Sequence, residues 1–263
     1  MKAKDIARII EEFAPLKYQA SYDNAGFTVG NPEREVESVM LAVDVTEEVI
    51  AEAIETGVNM IITHHPIIFT PIKRLMSQGY VEKCVEAAIK NDIILYAAHT
   101  NLDSTPEGMS WRVGEILGLK NMQVLSSSSP EEGVGYGVVG ELESSVRMAE
   151  YIKYVGKRLN CSALRHSDFS SAECRRVAVC TGSGGSLMGA VGSHGVDLYV
   201  TSDLRYNDFM TPSGEYTVVD VGHYESEYCV IEILFDILSK KMINFAVHKS
   251  RTTRNPINYI SLL

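Results

Sequence analysis

The chain has 263 residues, and at roughly 150 residues per domain that length holds about two domains or one large one. Apolar residues make up 45% and charged residues 22%, enough for a real core, which excludes a disordered chain. Lys and Arg number 24 against 34 Asp and Glu, a net charge of −10, which argues against a protein whose main task is wrapping nucleic acid, because phosphate neutralisation needs surplus cations.

Residues 1–15 place Ile6, Ile9, Ile10 and Phe13 at helical spacing among charges, so an amphipathic helix is expected there rather than a signal peptide. Strands are predicted at residues 38–45, 58–63 and 93–99, with helices at 46–56 and 80–90 between them. Thr105-Pro106-Glu107 reads as a helix start, with Thr as N-cap and Pro at the first helical position. The run SSSSPEEG at 126–133 is the clearest punctuation and is taken as a linker between domains. Beyond it come a strand at 136–142, a helix at 145–160, strands at 177–181, 197–201 and 217–221, and a long helix at 227–242. This alternation predicts an α/β protein of two domains with mainly parallel sheets, residues 1–125 (joined by 243–263) and residues 126–242. Five scattered cysteines without a CxxC spacing fit reduced, buried thiols of a cytoplasmic protein, and no apolar run is long enough to span a bilayer.

Chemistry concentrates where predicted strands end. His64 and His65 follow the strand at 58–63; adjacent residues there point to opposite faces, so their imidazoles suit two neighbouring metal ions. His99 and Asp103 follow the strand at 93–99, and His223 with Glu227, four apart on an expected helix turn, follow the strand at 217–221. Ligand sites of open α/β sheets lie outside the carboxyl ends of the strands, so histidines and carboxylates are expected to meet there. Such a mixed N/O set suits two divalent first-row transition metal ions (zinc, iron, manganese or nickel). The TGSGGS run at 181–186 lacks a GK[ST] ending, so a tight glycine turn is the simpler reading than a phosphate cradle.

Five segments, SYDNAGFTVG (21–30), THHPIIF (63–69), AHTNLD (98–103), TSD (201–203) and GHYESE (222–227), occur in an order that resembles the NGG-interacting-factor-three-like family, catalogued as GTP cyclohydrolase one type two homologues. The resemblance runs nearly end to end. It implies two-domain α/β proteins assembled into homohexameric toroids, with a dinuclear metal centre between the domains. Its ligand positions fall on His64, His65, Asp103, His223 and Glu227. Tyr22 stands where the family usually has Trp, in an aromatic packing role; Asn207 replaces a common His, and Ser202 a Gly.

The function expected from this set is metal-dependent hydrolysis of a nucleotide or other phosphorylated or cyclic-amide small molecule. His99 is the candidate general base or orienting group. The alternatives are a metal chaperone, store or insertase without turnover and, disfavoured by charge, a ring-shaped nucleic-acid interaction protein. No membrane contact is expected.

Overall fold

A computed structural model describes residues 1–210 and 214–260. In chain order its helices and strands are α1 (Ala3–Phe13), β1 (Gly26–Val29), β2 (Ser38–Ala42), α2 (Glu47–Thr56), β3 (Met60–Thr63), α3 (Tyr80–Lys90), β4 (Ile94–Ala97), α4 (Thr100–Ser104) and α5 (Met109–Ile116). They continue with β5 (Lys120–Ser127), β6 (Gly135–Arg147), α6 (Met148–Arg158), β7 (Arg165–His166), β8 (Glu173–Ser183), α7 (Met188–Ser193), β9 (Leu198–Ser202), β10 (Thr217–Asp220), α8 (His223–Glu227), α9 (Val230–Lys241) and β11 (Ala246–Lys249). The chain divides into two compact units, Met1–Leu102 with Val230–Arg254, and Asp103–Cys229 with Asn255–Leu263.

The first unit holds a five-stranded sheet in the order β1-β4-β3-β2-β11. Its inner pairings are parallel and only β1 runs antiparallel, against β4. Every residue of β3 and β4 is buried, as expected of parallel strands covered on both faces. Helix α1 buries Ala3, Ile6, Ala7 and Ile10, the one-sided stripe that its sequence spacing dictates. Thr46 caps α2 by accepting a hydrogen bond from the Val49 amide at 3.2 Å.

The second unit is built on a six-stranded sheet, β5-β6-β8-β9-β10-β7. Only β8–β9 and β9–β10 pair in parallel; the other three pairings are antiparallel. The fold is therefore α/β with two mixed sheets, less parallel than strand–helix alternation alone suggested. Its core includes Leu125, Val139, Ala178, Val191, Tyr199 and Val218.

Several local expectations shift for physical reasons. Residues 128–133 connect β5 to β6 inside one sheet, so the serine-rich run closes a hairpin, and the division between units falls after Leu102 instead. Thr105 is not an N-cap: Glu107 adopts φ +57°, outside helical backbone, and α5 starts after Gly108. The helix expected at 145–160 begins only at Met148, because Val146 and Arg147 still pair with Cys174 and Glu173. The long C-terminal helix expected at 227–242 is α9, Val230–Lys241, and the short α8 before it carries the His223 and Glu227 turn.

The return of the chain to the first sheet is pinned by one carboxylate. Glu52 on α2 is buried, and it accepts hydrogen bonds from the Ser250 hydroxyl at 2.7 Å, the Arg251 and Thr252 amides at 3.0 and 3.1 Å, and the Thr252 hydroxyl at 2.8 Å. Burial alone would raise its pKa, but those donors and the Arg251 guanidinium outweigh it and hold the group at about 2. A depressed carboxylate stabilises the fold above its unfolded pKa, and that contribution fades as pH falls toward the folded value. Thermal melts should therefore show stability declining between the ordinary glutamate range and pH ~2. Glu52→Gln should lower stability at neutral pH by about 1.5–3 kcal/mol and flatten the acid dependence in that window.

Candidate metal centre

The carboxyl ends of β3 and β4 bring three histidines together in the first unit. Immediately after β3 the chain turns: the amides of His64 and His65 both donate to the Val43 carbonyl, at 3.1 and 3.3 Å. The turn sets the two imidazoles side by side, ring centroids 4.9 Å apart, rather than on opposite faces as a continuing strand would. His99, just beyond β4, lies 5.2 Å from His64 and 5.4 Å from His65 by ring centroids. One ring nitrogen from each of the three falls within 4.8 Å of the others, a grouping that could hold a metal ion.

Each ring is oriented through Nδ1. His64, fully buried, donates Nδ1–H to the Ala98 carbonyl at 2.8 Å; a carbonyl only accepts, so the proton sits on Nδ1. His65 Nδ1 meets Asp44 Oδ1 at 2.7 Å, and His99 Nδ1 meets Asp23 Oδ1 at 2.7 Å. Asp23 also accepts from the amide of Thr100 at 3.1 Å and from its hydroxyl. Burial works to raise the Asp23 pKa, but the His99 and Thr100 hydrogen bonds prevail and hold it at about 2, so the group is an anion.

The second unit repeats the device. Past β10, α8 carries His223 and Glu227 on one face, with His223 Nε2 at 2.9 Å from Glu227 Oε2. His223 Nδ1 meets Asp203 Oδ2 at 2.7 Å, just beyond β9. Burial disfavours the imidazolium, yet Asp203 and Glu227 outweigh it and push the His223 pKa up to about 11. The pair of carboxylates thus demands a positive charge at Nε2, which a proton or a cation can supply. Asp103, on α4, shares this unit. Together with Glu227 it adds to burial in pushing the thiols of Cys180 and Cys229 up to about 12.

Gly182, φ +62°, passes so close to Glu227 that a Cβ there would overlap Oε1. Its amide donates to the Ser226 hydroxyl at 2.9 Å and its carbonyl accepts from Ser202 at 2.5 Å. The glycine run is therefore a packing turn that seats Glu227, and this amide is engaged within the protein. The imidazole and carboxylate donor set fits a first-row divalent ion.

The orienting carboxylates Asp23, Asp44 and Asp203 escaped the sequence reading, although Asp23 and Asp203 stand inside the DNAG and TSD runs and Asp44 follows a strand end. Ligand spacing alone does not reveal them, because they act on the far nitrogen of each ring. Tyr22 packs on the Phe69 ring but is otherwise at the surface, 70% exposed.

The comparisons agree with this architecture. The family model Duf34/NIF3 (NGG1p interacting factor 3) matches residues 1–256. A Clostridium perfringens protein named GTP cyclohydrolase 1 type 2 homolog is 32% identical over 265 residues, covering 99% of this chain and 100% of the relative. A hypothetical protein of Staphylococcus aureus matches with TM-score 0.91 at 28% identity, and a Bacillus cereus protein related to NIF3 with TM-score 0.91 at 23%; each comparison covers 99% of both chains. This chain belongs to the Duf34/NIF3 family.

Proposed function

We propose that the protein is a dinuclear metal-dependent hydrolase acting on a nucleotide or another phosphorylated or cyclic-amide small molecule. One observation carries the reading: His64, His65, His99 and His223, after three different strands, each hold Nδ1 against an oxygen, which fixes the ring and directs its chemistry to Nε2, metal ligation in His64, His65 and His223 and proton transfer in His99. In this proposal His64, His65, Asp103, His223 and Glu227 hold two divalent first-row ions, zinc, iron, manganese or nickel. The name of the Clostridium perfringens relative, GTP cyclohydrolase 1 type 2 homolog, supports the hydrolytic class. Bound ions of this kind supply Lewis acidity and a water-derived nucleophile at neutral pH.

The remaining chemistry belongs to the chain. Asp23 fixes the Nδ1 proton of His99, so a proton arriving from an attacking water has one landing place, Nε2. The anionic Asp23 then stabilises the imidazolium that forms, and the same Nε2 returns the proton to the leaving group. Glu227, almost wholly buried, is seated by the Gly182 turn. Following the family resemblance, we also propose a homohexamer in the cytoplasm; among the described residues no helix is long and apolar enough to cross a membrane.

Elemental analysis of protein incubated with zinc, manganese, iron or nickel should give about two ions per chain. His64→Ala and Glu227→Ala should each lower that content, and Gly182→Ala should do so without deleting a ligand. A chain that takes up none of these metals contradicts the proposal. Metal should raise the melting temperature of the wild type, by the equivalent of about 2.7 kcal/mol per site at a hundredfold excess over Kd, and raise it less in His223→Ala. If the loaded protein turns over no nucleotide, phosphoester or cyclic amide but passes its metal to an apo-protein, the hydrolase gives way to a metal-handling role. Light scattering should report about six times the 29.0 kDa chain mass; a monomer at micromolar concentration contradicts the hexamer.

A further inference from the structure

Two large aromatic rings stand in solvent beside the histidine group of the first unit. Tyr22 is 70% exposed and Phe69 is 49% exposed. Their rings meet edge to face with centroids 6.4 Å apart, and Phe69 meets His99 edge to face at 6.1 Å with planes 82° apart. The rings and the imidazole therefore form one continuous aromatic edge.

The backbone under these rings is tied down. Asp23, next to Tyr22, is bonded to His99 and Thr100. Asn24 donates its side-chain N–H to the Ile68 carbonyl at 2.6 Å, which joins the Tyr22 segment to the residue before Phe69. The segment bearing Phe69 is thus tied to the one bearing Tyr22, and the latter to His99 through Asp23. Burying an aromatic side chain is worth about 1.5–3 kcal/mol, and folding leaves much of that unused here. Apolar surface held in place next to convergent polar donors marks a contact site. Because the edge is continuous with His99, its occupant must reach the histidines with a polar end while presenting something flat and apolar to Phe69 and Tyr22.

We propose that Tyr22 and Phe69 form a stacking platform for a planar aromatic or heteroaromatic ring of the substrate, whose anionic end lies at His64, His65 and His99. The inference rests on the hydrolase reading and adds the substrate class: ring-bearing esters are preferred over aliphatic ones. Tyr22 and Phe69 are specificity determinants and take no part in proton transfer.

The test is calorimetric titration of the full-length, zinc-loaded protein with phenyl phosphate and with methyl phosphate, which share an anionic head and differ in the ring. Wild type should bind phenyl phosphate at least about fivefold more tightly, the lower end of what one base–aromatic stack contributes. Phe69→Ala and Tyr22→Ala should bring the affinity ratio toward one, and Phe69→Trp should keep it. Both positions are solvent-exposed, and circular dichroism checks that the variants fold. Equal affinity for the two esters in wild type, failure to bind either, or a ring preference that survives both alanine variants overturns the platform. A change in oligomeric mass of these variants with ligand preference unaltered also overturns it, since the rings then serve contact between copies. A protein that takes up no metal but prefers phenyl phosphate through Phe69 keeps the platform and loses the hydrolase; uptake of metal without ring preference does the reverse.

Discussion

A proton held on Nδ1 organises the candidate centre. His64 gives it to a carbonyl that can only accept, and His65, His99 and His223 give it to Asp44, Asp23 and Asp203. In an imidazole fixed in this way Nε2 is the nitrogen that can give its lone pair to a ligand bond, and the acceptor behind the ring makes that nitrogen more basic. The cost falls on Asp23, whose carboxylate is buried while those of Asp44 and Asp203 are partly exposed, and it is large unless that group is hydrogen-bonded. Asp23 meets that condition with four donors and stays ionised despite burial.

The sheets make this possible by ending strands where the rings are wanted. In the first unit parallel pairing aligns β2, β3 and β4, so Asp44, His64, His65 and His99 follow adjacent strand ends. In the second unit β9 and β10 run in parallel and release Asp203 and His223 in the same manner. Asp203 adopts φ +57°, a conformation Asp tolerates better than most residues, and this bends the chain just past β9, where its carboxylate reaches His223. The antiparallel strands, β1 at one edge of the first sheet and β5, β6 and β7 in the second, contribute framework, and none of the four histidines follows them directly.

Much of this was legible in the sequence. Strand–helix alternation identified the α/β class, and the three histidine-bearing strand ends were placed correctly because β-branched runs stop abruptly at polar residues. The antiparallel half of the second sheet was not legible, because a serine-rich hairpin loop and an interdomain linker share the same composition. The helix start at Thr105 failed because Pro and Thr propensities are weak beside the turn that Glu107 makes. His223 and Glu227 were readable from their spacing on one helix face, whereas Asp23, Asp44 and Asp203 become visible only once the far side of each ring is seen. For Tyr22 the sequence offers an aromatic packing role; only the fold shows that the ring it packs on is Phe69 and that most of its own surface stays exposed.

X-ray absorption at the zinc edge of the loaded protein tests the central claim most directly, because it sees donor atoms irrespective of particle size. The histidines should appear as nitrogen neighbours with the outer-shell scattering of imidazole rings and the carboxylates as oxygen neighbours, all at about 2.0–2.2 Å, with no sulfur shell near 2.3 Å. His64→Ala should reduce the imidazole contribution. All five cysteines are free thiols, so a thiolate site is a real competitor. A sulfur shell, or a spectrum without imidazole scattering, would contradict the assignment of these histidines to a metal.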